Sequence, residues 1–147
     1  MKITVFGAGA VGGHVAARLG AGAEAAGIEV AAVGRGAQLD AIRERGLTLW
    51  IGDERYDARI HATDRPETLG VQDVVFVALK SSTLPQAAPA IAPLLSPATS
   101  VVFAMNGIPW WYLYRCPDNG LPRPDLSRLD PGGVLARTIG LERVIGC

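Results

Sequence analysis

The sequence is short of the residues on which several large protein classes depend. It has two cysteines, Cys116 and Cys147, which form neither a C-x-x-C pair nor a ligand cluster with its two histidines, His14 and His61. A disulfide framework and a metal site are therefore set aside, and both thiols are expected to be free. It has no excess charge of either sign: fourteen basic residues balance fourteen acidic ones. The broad basic footprint that nucleic acid or an anionic membrane selects is missing, so neither partner is expected. Its apolar runs are short and broken by Gly, Pro or charge, and Met1-Lys2 leads straight into a strand. No signal peptide or spanning helix is expected, and the location is expected to be cytoplasmic. There is no internal repeat or low-complexity segment. What is present, 147 residues with 49% hydrophobic and 19% charged content, suits one globular domain with a sizeable core.

The chain is organised around its first thirteen residues. A short apolar run, Ile3-Thr4-Val5-Phe6, enters Gly7-Ala8-Gly9-Ala10-Val11-Gly12-Gly13 and then an Ala-rich helical pattern. Strand, G-x-G-x-x-G and helix in this order make a dinucleotide-binding turn. Gly7 permits the tight turn, Gly9 lets the backbone approach a pyrophosphate, and Gly12 lets the helix pack closely on the strand. Ala10 and Val11 belong to the first helical turn, whose free N–H groups and positive dipole end face the anion.

From Val11 to roughly Ala26 the helix has Val11, Val15 and Leu19 spaced to face a sheet, with Gly20 and Gly22 weakening its far end. His14, in the first turn, reads as a surface histidine. Ile28 to Val33 is the second strand. Gln38 to Arg45 reads as a short helix stopped by Gly46, followed by a hairpin of Leu47–Ile51 and Tyr56–Ala62 around Gly52-Asp53-Glu54. Val74 to Leu79 and Ser100 to Met105 are continuous apolar runs, as buried parallel strands require. Between them, Ser82 or Thr83 can cap a helix that Pro85, Pro89, Pro93 and Pro97 keep short or kinked. Residues 116–128 form a polar, Pro-rich surface excursion. Asp130-Pro131 starts a short helix to about Ile139, and Arg143 to Cys147 begins another strand.

Three polar residues follow strands at points where α/β sheets bind ligands. Arg35 stands after the second strand, where an acid would accept hydrogen bonds from the adenosine ribose in an NAD site. A guanidinium there suits a 2′-phosphate, which favours NADPH over NADH and disfavours a flavin site. Lys80 follows the third apolar strand, within reach of a cofactor ribose or an anionic substrate. Asn106, before Gly107, offers donor and acceptor where a nicotinamide would lie, or serves simply as an Asn-Gly turn. Beyond it, Trp110, Trp111, Tyr112 and Tyr114 are either core or the wall of a pocket for a bulky substrate. The fold expected is α/β: a doubly wound, Rossmann-type, mostly parallel sheet with helices on both faces.

Lys2 through Gly13, Arg35, Val77-Ala78-Leu79-Lys80 and Ala104-Met105-Asn106-Gly107, in this order and spacing, resemble the amino-terminal domain of the ketopantoate reductases (2-dehydropantoate 2-reductases). The Asn106–Trp111 stretch is similar to a less characterised branch of that family. The resemblance covers essentially the whole chain. It implies an oxidoreductase that uses NADPH to reduce a 2-oxo acid to a 2-hydroxy acid, in the pantoate case for pantothenate biosynthesis. It further implies that Gly7, Gly9, Ala10, Val11 and Gly12 hold the pyrophosphate and Arg35 the 2′-phosphate. Lys80 and Asn106 would position the nicotinamide end and the substrate. In the family the proton-delivering lysine lies in a helical carboxy-terminal domain. Residues 1–147 are accordingly read as the NADP-binding domain of a longer polypeptide, inactive alone; a homodimer is allowed, and an exposed aromatic face and severed strand edge could also drive self-association that the intact protein would not show. Two alternatives are another NADP-dependent hydroxy-acid dehydrogenase and a non-catalytic NADPH-binding sensor module.

Overall fold

In the computed structural model, residues 1–114, 125 and 127–146 are described. Cys116 and Cys147, and nearly all of the 116–128 excursion, lie outside them. Six strands form one sheet: β1 (Lys2–Phe6), β2 (Glu29–Val33), β5 (His61–Thr63), β6 (Val74–Val77), β7 (Ser100–Phe103) and β8 (Val144–Gly146). Their order across the sheet is β5-β2-β1-β6-β7-β8, and every neighbouring pair is parallel. Counted among themselves they run 3-2-1-4-5-6, the doubly wound order whose direction of winding reverses between β1 and β6. A separate antiparallel pair, β3 (Leu47–Ile51) and β4 (Glu54–Ala58), turns through Gly52-Asp53, with Gly52 at φ 58°.

The sheet is covered on both sides because its strands are apolar in both directions. In β2, Ala32 joins a cluster with Ala8, Leu39, Ile42 and Ala62, whereas its neighbour Val33 joins Val75, Val77, Phe103 and the helices of the other face. Helices α1 (Ala10–Ala21), α2 (Ala23–Ala26) and α3 (Gly36–Arg45) lie between the early strands. The other face holds α4 (Leu84–Ile91) and α5 (Val134–Ile139). Val75, Val77, Val101 and Phe103 are wholly buried, and side chains of this size contribute about 1.5–3 kcal/mol each on burial.

Four expectations are corrected. The face that α1 buries carries Gly12, Ala16 and Ala17, while Val11 is 56% exposed and Val15 and Leu19 are half-buried. Small residues are needed there because the glycine turn brings the helix in too close for valine. The run Tyr56–Ala62 is not one strand: it ends the hairpin at Ala58 and resumes at His61 as the third parallel strand of the sheet. Strands β6 and β7 stop at Val77 and Phe103, two residues short, though the Ala78 and Ala104 amides still donate to Phe6 and Val77. Thr83 does not cap α4; its hydroxyl donates back to the Lys80 carbonyl at 2.8 Å. Pro85, in the first turn of α4, lacks one of the amides a cap would serve. The short, proline-bearing α4 is as expected.

Gly20, read as a weak point of α1, has a packing reason. A Cβ there would sit 2.7 Å from both Ala58 Cβ and Ile60 Cγ2, so the glycine lets α1 pass under the hairpin. The same constraint is tighter at Gly12, whose Cβ would fall 1.9 Å from the Gly7 carbonyl oxygen. Backbone cannot yield as a flexible side chain can. Gly12→Ala should lower unfolding free energy by about 3 kcal/mol, the upper end of overpacking costs, as measured by urea denaturation.

Candidate functional site

The four predicted binding positions come together at one edge of the sheet. Because β2, β1, β6 and β7 are parallel neighbours, their carboxyl ends emerge side by side. Arg35, the glycine turn, Lys80 and Asn106 follow them in that order, across three strand spacings of about 4.8 Å.

The turn is built by its glycines. Gly7 adopts φ 99°, a value side chains rarely tolerate, and its amide donates to the Val33 carbonyl at 3.0 Å. Leu79 and Ala78 close over it, leaving 2.7 Å between the Leu79 Cδ2 atom and any Cβ at Gly7. Gly9 precedes α1 and accepts the amide of Gly13 at 2.6 Å. The amides of Ala10, Val11 and Gly12 therefore have no acceptor within the helix. Around Gly9 a Cβ would meet nothing within 4 Å. Gly12 is filled by backbone and Gly9 opens on space, which is the division of labour an anion cradle needs. Ala10 and Val11 are both exposed beside it. His14 is exposed on the same helix and joins no group of residues that could bind a metal among the described ones.

Arg35 directly precedes α3 in extended conformation, φ −151° and ψ 160°. It is exposed, and its side chain makes no hydrogen bond or ion pair with any described residue. Lys80 is exposed after β6, and its carbonyl anchors the following turn by accepting the amide and hydroxyl of Thr83. Asn106 is exposed after β7, and Gly107 at φ 97° makes the sharp turn behind it. The turn and the outward asparagine coexist.

One contact had no signal in the sequence. Gln38, in the first turn of α3, donates its side-chain amide to the Ala8 carbonyl inside the glycine turn. The partners are thirty residues apart, and nothing local marks the glutamine.

The aromatic segment divides: Trp110 is buried and Trp111 half-buried, whereas Tyr112 and Tyr114 are exposed. Trp110 is 3% exposed and meets Phe103 edge-on at 6.1 Å. Trp111 lies against Phe103 at 4.9 Å and over Gly146 at the end of β8. Tyr114 packs edge-on to Trp110 at 6.0 Å and donates to Asp130 at 2.9 Å. The buried Asp130 carboxylate also accepts the amides of Leu135 and Ala136 at 2.7 and 3.1 Å, capping α5 from a distance. A cavity of about 270 Å³ lined by Trp110, Leu113, Tyr114, Ser127 and Asp130 adjoins this cluster. It includes none of the strand-end residues above.

This fold, with a glycine turn at the amino end of α1 and polar residues beyond the neighbouring strands, defines a dinucleotide-binding domain. A model of the ketopantoate reductase PanE/ApbA family matches residues 3–109; the chain belongs to that family. It is similar to the 2-dehydropantoate 2-reductase of Mesorhizobium japonicum, 46% identical over 146 residues, which cover 99% of this chain and 44% of that protein. A protein from Ralstonia solanacearum MolK2, described as a ketopantoate reductase, superposes with a TM-score of 0.85 at 41% identity over 99% of this chain and 43% of its own. The 2-dehydropantoate 2-reductase of Porphyromonas gingivalis W83 gives 0.68 at 33% identity, over 74% and 39%. The chain thus spans less than half the length of these relatives.

Burial, and then the hydrogen bond to Asp130, raise the pKa of Tyr114 above its ordinary value of 10.0. The neutral phenol therefore contributes stability that is fully present below pH 10 and lost as pH rises through the folded-state value. Tyr114 is 46% exposed, so solvent screens the pair and Tyr114→Phe should cost only about 0.5–1 kcal/mol at neutral pH. The difference from the parent should shrink above pH 10, as followed by denaturation at a series of pH values.

Proposed function

We propose that this chain is the NADPH-binding part of a reductase of the ketopantoate type, which converts a 2-oxo acid to the corresponding 2-hydroxy acid. The observation that carries this reading is the row of Arg35, glycine turn, Lys80 and Asn106 along one edge of a parallel sheet. Family membership supports it.

In this reading Gly7, Gly9, Ala10, Val11 and Gly12 receive the pyrophosphate through backbone amides and the positive end of α1, equivalent to roughly half a charge. Arg35, exposed and without a described partner, supplies paired donors to the 2′-phosphate. When bound, NADPH would supply the hydride. Lys80 would stabilise negative charge on the substrate or hold the neighbouring ribose. Asn106 would orient the nicotinamide end and substrate with its donor and acceptor. Proton delivery would fall to a residue in the portion of the relatives' length that this chain does not span.

Two substitutions separate the parts of the site. Arg35→Ala should weaken NADPH binding by about 10- to 100-fold, the worth of a hydrogen bond to a charged group, and leave NADH unchanged. Gly9→Ala should weaken both nucleotides together and leave the unfolding midpoint nearly unchanged, because a Cβ at that position meets nothing within 4 Å. Calorimetric titration with each nucleotide reads both outcomes. If Arg35→Ala leaves the NADPH-to-NADH preference intact, the phosphate role of Arg35 is wrong.

A further inference from the structure

We propose that Gln38 is a positioning residue for the pyrophosphate turn, acting through the Ala8 carbonyl; the inference rests on the nucleotide reading of that turn. Ala8 lies between the first two glycines, the one stretch of the cradle where a carbonyl turned outward would set a partial negative charge against a phosphate. Several elements converge on it. The Ala8 side chain is 3% exposed, and a Cβ at Gly34, just past β2, would be 3.7 Å from its own Cβ. A Cβ at Gly13 on α1 would be 3.3 Å from its carbonyl oxygen. From α3, the Gln38 side-chain amide donates to that same oxygen. The carbonyl is thereby satisfied on the side that Gln38 approaches, away from the amides of Ala10, Val11 and Gly12.

The contact also ties the turn to the start of α3. Gln38 stands three residues after Arg35, within the same first turn of that helix. The glycine turn is thus tied by one side chain to the helix at the far end of the β1-α1-β2 unit. Gln38 itself is exposed, so its removal leaves the core intact. The hydrogen bond of the Gln38 side chain goes to the turn that receives the pyrophosphate common to NADPH and NADH, which fixes how its loss should register.

The test is Gln38→Leu, which keeps much of the volume and removes the donor, beside Gln38→Glu, which sets a carboxylate against the carbonyl. Each is titrated with NADPH and NADH, and amide hydrogen exchange at Gly7 and Gly13, whose amides donate within and beside the turn, is followed without nucleotide. Gln38→Leu should weaken both nucleotides by about tenfold, the worth of one neutral hydrogen bond, with their ratio held within twofold. It should also speed exchange in the turn several-fold while the unfolding midpoint stays put, and Gln38→Glu should do at least as much. Unchanged affinities and unchanged exchange overturn the proposal. A loss confined to NADPH overturns it too, since Gln38 would then serve the 2′-phosphate. If the parent chain binds neither nucleotide but the variant still exchanges faster, the hold on the turn stands and the nucleotide reading falls.

Discussion

The contact between Gly12 and the Gly7 carbonyl is the constraint on which the site depends. At 1.9 Å from that oxygen to the place a Cβ would occupy, α1 can sit where it does only as glycine. This closeness aims the first turn of α1 at the space over Gly9. It also makes Ala16 and Ala17, rather than larger residues, the buried positions farther along. A bulkier interface would stabilise the helix more through apolar burial, but it would lift the amides away from the strand ends. Here the packing is subordinate to the direction in which the helix points.

The two edges of the sheet are treated in opposite ways. At the amino edge polar groups are consumed. Gln72 is buried, accepts the Thr4 hydroxyl at 3.0 Å and donates to the carbonyls of Leu69, Gly70 and Val71. Its own carbonyl accepts the Thr99 hydroxyl at 2.7 Å. Buried groups of this kind cost about 1–3 kcal/mol each when left unpaired, so their closure locks the starts of β1, β6 and β7 together. At the carboxyl edge Arg35, Lys80 and Asn106 are all exposed. Rigidity at one edge lets the other present side chains in fixed register while leaving their polar atoms available.

Beyond β7 the chain spends its aromatic residues on structure. Trp110 meets Phe103 and Trp111 edge to face, Trp111 lies tilted against Phe103, and Tyr114 links them to the carboxylate that caps α5. Trp110 and Tyr114 both pack in this cluster and line the cavity beside it.

What the sequence determined by itself was whatever depends on neighbours along the chain. The strand leading into G-x-G-x-x-G, the apolar runs of β6 and β7, and the placing of Arg35, Lys80 and Asn106 after strands were legible because turn chemistry and side-chain period are local. The strand order then followed from few options, since parallel strands joined by helices wind in one hand. Tertiary structure decided the rest. It turned Val11 outward, because the closeness of Gly7 is set by the strand and not by the helix pattern. It split 56–62 between a hairpin and the sheet, because both halves are equally strand-like and only their partners differ. It put Trp110 inside and joined Gln38 to Ala8, since burial and a hydrogen bond across thirty residues exist only once the sheet has brought their elements together.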